Sequence, residues 1–274
     1  MTEGAQHMQR YMSVFRIRLI GRLQYRTVAL GAIVTRFCWG FMEILAFLAL
    51  YRSGHANFPM ARAQTVTYIW MQQTLIVLFS VVFGDGEIYD AIGSGAIAYE
   101  LVRPMGLYGR WFCQSAANRV AFTAVNCLPV LLIALIMPQP FRMAVPLNLG
   151  QLLLFFLSLS LALCVVVAFA MLMYVSLFYT LSHRGVKIIV TALTTFLSGG
   201  IIPLPFFPAP ALALVRLLPF AAMQNMPLLI YSGHLAGADA LAGIAFQVFW
   251  LALLLAAGQL AMRRALQKVV VQGG

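Results

Sequence analysis

Long stretches of this chain carry almost no charge, and that governs what it can become. Residues 27–50 hold only Arg36 and Glu43 as charged groups, and residues 149–178 and 240–262 hold none. An apolar run of about 20 residues is long enough to cross a ~30 Å hydrocarbon layer as a helix. A helix also satisfies its backbone polar groups within itself, as that layer demands. The chain is 62% hydrophobic and 9% charged, whereas soluble domains are roughly 45–50% apolar. It reads as an all-α polytopic membrane protein.

Six spans are expected, at about 27–50, 63–83, 111–137, 149–178, 186–202 and 240–262. Residues 10–26 precede them as an imperfect amphipathic helix. Met12, Ile17, Leu19, Ile20 and Leu23 share one half of its wheel. Arg10, Arg18, Arg22 and Arg26 share the other, and Arg16 intrudes. Such a helix suits the inner membrane surface, though a plain basic flank that fixes orientation reads equally well. Between spans five and six, Pro203, Pro205, Pro208, Pro210, Pro219 and Pro227 interrupt a strongly apolar stretch, 203–238. Proline removes a backbone donor and breaks a helix. Short half-inserted helices that return to the side they entered are expected there.

The net charge of +11 concerns topology, not nucleic acid, because the basic residues flank the spans. With six spans, one side collects twelve Lys and Arg from the N-terminal flank, the 84–110 and 182–187 loops and the tail. The other side collects four: Arg52, Arg62, Arg142 and Arg216. Basic residues stay in the cytoplasm, so both termini are expected there. The chain is expected to be a single transmembrane unit, 1–274, without a cleavable signal peptide or a soluble domain.

No enzyme constellation is legible. The two lysines, Lys187 and Lys268, do not end a G-x-x-x-x-G-K-[ST] phosphate loop, and no H-E-x-x-H or G-x-S-x-G occurs. Cys38, Cys113, Cys127 and Cys164 lack metal or redox spacing, and the four histidines are scattered. No metal and no cofactor are expected in this chain.

Ionisable groups at membrane depth are costly and default to functional hypotheses. Arg36 and Arg119 lie about nine residues inside their spans, where each would snorkel toward the inner surface. Glu43 is deeper, and Gln72 and Gln73 of span two reach its depth, so one of them is expected to hydrogen-bond it. Glu43 then serves either as an interhelical clamp or as the lining of a substrate cavity. Asn118 and Asn126 on span three carry the same two readings.

The most specific local signal is the segment 92–104, Ile-Gly-Ser-Gly-Ala-Ile-Ala-Tyr-Glu-Leu-Val-Arg-Pro. Glycines open it, a short helix-like stretch follows, and Arg103-Pro104 close it. Ile97, Tyr99, Leu101 and Val102 make it apolar where a connection should be polar. It reads as a docking knob for a soluble partner, or else as a solvated connection.

This segment, the Phe-Leu-Ser-Gly-Gly-Ile-Ile-Pro-Leu-Pro-Phe-Phe-Pro stretch at 196–208 and the six-span layout resemble ABC-2-type permeases. The resemblance covers essentially the whole chain. It is strongest to small bacterial permeases, often encoded in tandem beside one ATPase, that include viologen and drug exporters. Ala96 stands where that pattern has an acidic residue. The resemblance implies a bacterial inner-membrane subunit of an exporter, working as a dimer, with tandem pairing favouring a heterodimer. Two copies of a partner ATPase would carry ATP and Mg. Residues 10–26 would be a connecting helix. The 84–110 loop would hold the coupling helix, with Gly93, Tyr99, Glu100, Leu101, Arg103 and Pro104 at the ATPase. Gly199, Gly200, Pro203 and Pro205 would shape an extracellular gate. Glu43, Gln72, Gln73, Asn118, Arg119 and Asn126 would border the substrate path, and few interior polar groups suit an amphiphilic cargo. An ion-coupled carrier and a non-transporting scaffold are the alternatives. The first lacks inverted repeats and intramembrane acids beyond Glu43.

The charge count makes topology testable in a chain whose four cysteines are replaced by serine. A cysteine at Ser94 should react with an impermeant maleimide only after the membrane is opened. One at Ser53 should react in intact cells. The reverse pattern would invert the assignment.

Overall fold

The computed structural model describes residues 3–23, 29–54, 58–82, 86–102, 105–146, 148–180 and 183–267. Among these, every regular element is helical. Four helices among the described residues are long and apolar enough to cross a membrane: α2 (Ala29–Arg52), α6 (Leu107–Ile136), α7 (Leu149–Ser176) and α11 (Gly237–Leu266). They coincide with four of the six expected spans, since an unbroken apolar run is readable from composition alone.

The other two expected spans depart from a simple crossing. Helix α3 (Arg62–Phe79) is shorter than the 63–83 run, and 14 of its 18 residues are buried, Gln72, Gln73, Thr65, Thr67 and Thr74 among them. It is a central core helix, packed against α2 and α6 and touching α7. Helix α8 (His183–Leu197) ends five residues short of the end of the 186–202 run that predicted it. Its 15 residues rise about 22 Å at 1.5 Å each, and most of them are exposed.

Between α8 and α11, the proline-rich stretch forms short pieces: a 3-10 turn at Leu204–Phe206, α9 (Ala209–Val215), a second 3-10 turn at Pro219–Ala222 and α10 (Asn225–Tyr231). Prolines stand at the first positions of the turns and of α9, where the missing N–H costs nothing. The pieces lie against the body of the molecule. Gln247 of α11 donates to Ala222 O at 2.9 Å and Ser158 O at 3.1 Å, while Ser158 Oγ donates back to Gln247 Oε1 at 2.9 Å. Gln151 of α7 donates to Ile230 O at 2.7 Å. The α7–α11 pair is the most extensive packing in the fold.

At the end assigned by charge to the cytoplasm, α1 (Glu3–Leu23) starts seven residues earlier than expected and lies along α6. Its inward face is Tyr11, Val14, Phe15, Arg18 and Leu19, while Met12, Ile17 and Ile20 stay exposed. That face follows the i, i+3, i+4, i+7 rule but is not the apolar half of the wheel. Arg18 turns inward because Glu87 pairs with it. Tyr11 packs where α6 offers glycine, and a Cβ on Gly109 would meet its ring at 2.9 Å. Two short helices follow α3: α4 (Gly86–Gly93) and α5 (Ile97–Leu101).

Arg119 does not snorkel. It is 0% exposed, and its guanidinium is spent on backbone carbonyls just past the end of α3. Nε donates to Ser80 O at 3.0 Å and Nη2 to Val81 O at 2.7 Å, while Nη1 donates to Ser115 O at 3.1 Å. A helix C-terminus carries partial negative charge, so the cation is neutralised in place. Replacing Arg119 by methionine should therefore destabilise the chain by about 2–4 kcal/mol, the cost of leaving buried carbonyls unpaired. Unfolding of the purified chain in mixed micelles measures it. An unchanged midpoint would remove Arg119 as the strut of α3.

Candidate functional site

Helix α2 faces α3 across Gly40, where a Cβ would meet Gln73 Cγ at 2.9 Å. That closeness lets the Glu43 carboxylate reach both glutamines, where the sequence led us to expect one. Gln72 Nε2 donates to Glu43 Oε2 at 3.3 Å, and Gln73 Nε2 to the same oxygen at 3.4 Å. Gln72 also donates to Gly200 O at 3.0 Å. One carboxamide therefore bridges an acid on α2 and the chain just past α8.

These groups border a cavity of about 880 Å³ walled by Thr35, Arg36, Trp39, Met42 and Glu43 of α2, Gln72, Gln73 and Ile76 of α3, and Gly200 and Ile201. Arg36, expected only to snorkel, is in this wall. Its signal was readable: Arg36 and Glu43 are seven residues apart, two turns on one helix face. Trp39 and Met42, exposed between them, show that the cavity reaches the surface of the chain. Asn118, Arg119 and Asn126 are not part of the wall. Asn118 is fully buried, Arg119 props α3, and Asn126 donates to Phe122 O one turn back in α6 at 2.7 Å.

The Gly199-Gly200 break is held by α3 and the α10 end. Tyr68 Oη donates to Gly199 O at 3.1 Å and lies 3.3 Å from Asn225 Oδ1. Gln224 Nε2 also donates to Gly199 O, at 3.3 Å. Gly199 has φ +82°, and a Cβ there would meet Tyr68 Oη at 2.6 Å. Tyr68, Gln224 and Asn225 went unnoticed in the sequence. Only the i, i+4 spacing of Tyr68 and Gln72 hinted at a shared face. Pro203 and Pro205 are buried beyond the break. Past them Phe206 stacks edge-on against Phe47 of α2 at 4.9 Å.

At the opposite end, α5 forms a compact knob. Ile97 is buried, while Tyr99 is 81% exposed, Val102 84% and Leu101 also exposed. Glu100 does not point outward. Its carboxylate pairs with the Arg110 guanidinium and accepts from Trp111 Nε1 at 3.1 Å, both on α6. Glu87 of α4 pairs with Arg18 and accepts from Gln114 Nε2 at 3.2 Å. Gly93 ends α4. Arg103 and Pro104 lie outside the described residues. No group of three or more metal-ligating side chains occurs among the described residues.

Residues 37–273 match the family described as ABC-2 family transporter protein. No curated protein and no solved structure matches the chain.

The Gly199 geometry sets up a double-mutant test. Gly199→Ala should cost about 1–2 kcal/mol for the left-handed backbone, plus the clash with Tyr68. In a Tyr68→Phe background the clash disappears and the cost of Gly199→Ala should fall. Equal costs in both backgrounds, read from thermal unfolding in detergent, would show that Tyr68 does not press on Gly199.

Proposed function

Since the chain belongs to the ABC-2 family of transporter proteins, we propose that it is the membrane subunit of an ATP-driven exporter in the bacterial cytoplasmic membrane. Members of this family work in general with an ABC ATPase. In this reading α3 and α8 complete six spans, and the pieces between α8 and α11 are re-entrant helices at the outer face. Both termini are cytoplasmic. Two copies of a P-loop ATPase carry ATP and Mg. A second permease chain completes the path, and the subunit shares its layout, though not its cargo, with the subgroup that includes viologen and drug exporters. This chain performs no chemistry on its cargo.

The observation that carries the reading is the braced knob. Three apolar side chains, Tyr99, Leu101 and Val102, stand out from α5. Their base is fixed to α6 through Glu100, Arg110 and Trp111. An exposed apolar cluster beside charged groups marks an interaction surface, and a fixed base lets it transmit force. A push on the knob moves the start of α6. α6 carries Arg119, which holds the end of α3. α3 carries Gln72, which holds Glu43 and Gly200. These contacts form a contiguous physical link between the knob and the cavity. ATP drives the switch only through a differential affinity of the closed ATPase pair for one permease conformation.

Tagged chain extracted gently from its native membrane should bring down a P-loop ATPase. Tyr99→Asp with Val102→Asp should abolish that recovery while leaving the yield of folded permease unchanged, because neither side chain is buried. Glu100→Gln should weaken it less than tenfold. Undiminished recovery in the double variant would move the docking site elsewhere. ATP-independent flux by the chain alone would overturn the reading in favour of a carrier.

A further inference from the structure

The cavity between α2 and α3 is unevenly satisfied, and the imbalance points to a ligand. Glu43 accepts from two carboxamides. Arg36 has no such provision: its Nη1 atom is buried without a hydrogen-bond partner among the described residues. An unpaired buried guanidinium N–H costs free energy until an acceptor arrives, and arginine stays protonated in any protein setting. Two polar atoms of this wall are buried without a partner among the described residues, Arg36 Nη1, a charged donor, and Gln72 Oε1, a neutral acceptor. The unmet charged capacity is therefore for an anion, and the neutral one, beside Glu43, is for a hydrogen-bond donor. Arg36 and Glu43 are separated by about 10 Å along the helix, from seven residues at ~1.5 Å each. Trp39 and Met42 form an apolar strip between them. The contacts around Glu43, at 3.3 Å and longer, leave it able to accept a better donor.

We propose that this cavity binds an elongated anionic amphiphile, with its negative group on Arg36, its apolar body over Trp39 and Met42, and a hydroxyl or other hydrogen-bond donor on Glu43. The site takes this class over cationic amphiphiles because the charged atom buried without a partner belongs to Arg36, whereas Glu43 has two donors that a hydroxyl can replace. A donor on Glu43 competes with Gln72 for the carboxylate, and the same Gln72 carboxamide holds Gly200, so a cargo here touches the contact that fixes the α8 break. The proposal names the cargo class of the permease and rests on that reading.

Cholate is a suitable probe, since it carries a carboxylate at one end of a rigid apolar body and hydroxyls along it. Equilibrium binding of radiolabelled cholate to the full chain in neutral phosphatidylcholine nanodiscs should be saturable. Arg36→Gln should lower affinity at least about tenfold, the worth of a hydrogen bond to a charged group, and Arg36→Lys should recover most of it. Glu43→Gln should weaken cholate but not a carboxylate amphiphile of the same body without hydroxyls. Dodecyltrimethylammonium should not compete. Thermal unfolding of each variant checks that the fold survives. Unchanged cholate affinity in Arg36→Gln overturns the proposal, as does effective competition by the quaternary ammonium. Absent binding combined with oxidative cross-linking of Cys38 between chains also overturns it, and gives this face to a second copy. No ATPase is needed for binding, so failure of the permease reading in the co-purification experiment stays distinguishable from failure here.

Discussion

A buried guanidinium and a helix end hold this molecule in register. Arg119 has no exposed surface, and the carbonyls of Ser80 and Val81 take up two of its nitrogens. A charge in a low-dielectric interior is tolerable only when fully hydrogen-bonded, so α6 and the end of α3 are locked together. The position of α3 then decides what the glutamines and Tyr68 can reach. Trp70 Nε1, higher on the same helix, donates to Phe141 O at 2.7 Å, and Thr67 accepts from Ala144 N at 2.9 Å. The 137–146 connection is thereby fixed to α3 as well. One polar helix in an apolar bundle organises both ends of the fold.

That role explains why α3 is less apolar than its neighbours. Helices facing lipid gain nothing from polar side chains, and an interior helix can use them to bind the others. Gln72 and Gln73 reach α2, Gln72 and Tyr68 reach the Gly199-Gly200 break, and Thr67 reaches the 137–146 connection. The hydrophobic strength of α2, α6, α7 and α11 places the bundle, and the polar residues of α3 specify its arrangement.

Much of this was legible in advance, and the limits have physical causes. The four long apolar helices follow from composition, because a helix is the only way such a run satisfies its backbone in lipid. That Glu43 meets one of Gln72 and Gln73 was readable from depth along two antiparallel runs; that it meets both was not, because it depends on the close approach at Gly40. Tertiary partners erased the rest. Residues 198–202 leave the helical path because Tyr68, Gln72 and Gln224 supply donors to Gly199 and Gly200, and no local pattern announces that. The inward face of α1 includes Arg18 because Glu87, 69 residues away, awaits it. Hydrophobicity alone sorts such a residue outward. Ile97 turns in while Tyr99 and Val102 turn out, a division that a five-residue helix is too short to reveal by periodicity.

The shortness of α8 has a consequence for the membrane itself. In the proposed topology its ~22 Å rise falls about 8 Å short of a ~30 Å hydrocarbon layer. The Gly199-Gly200 turn then sits below the lipid surface, and its carbonyls survive there because side chains of α3 and the α10 end bond them. Lipid beside α8 must thin to match, at a cost that rises with each ångström of mismatch. Bilayer thickness thereby becomes a setting of this protein: a thicker host membrane presses on the very break that borders the cavity.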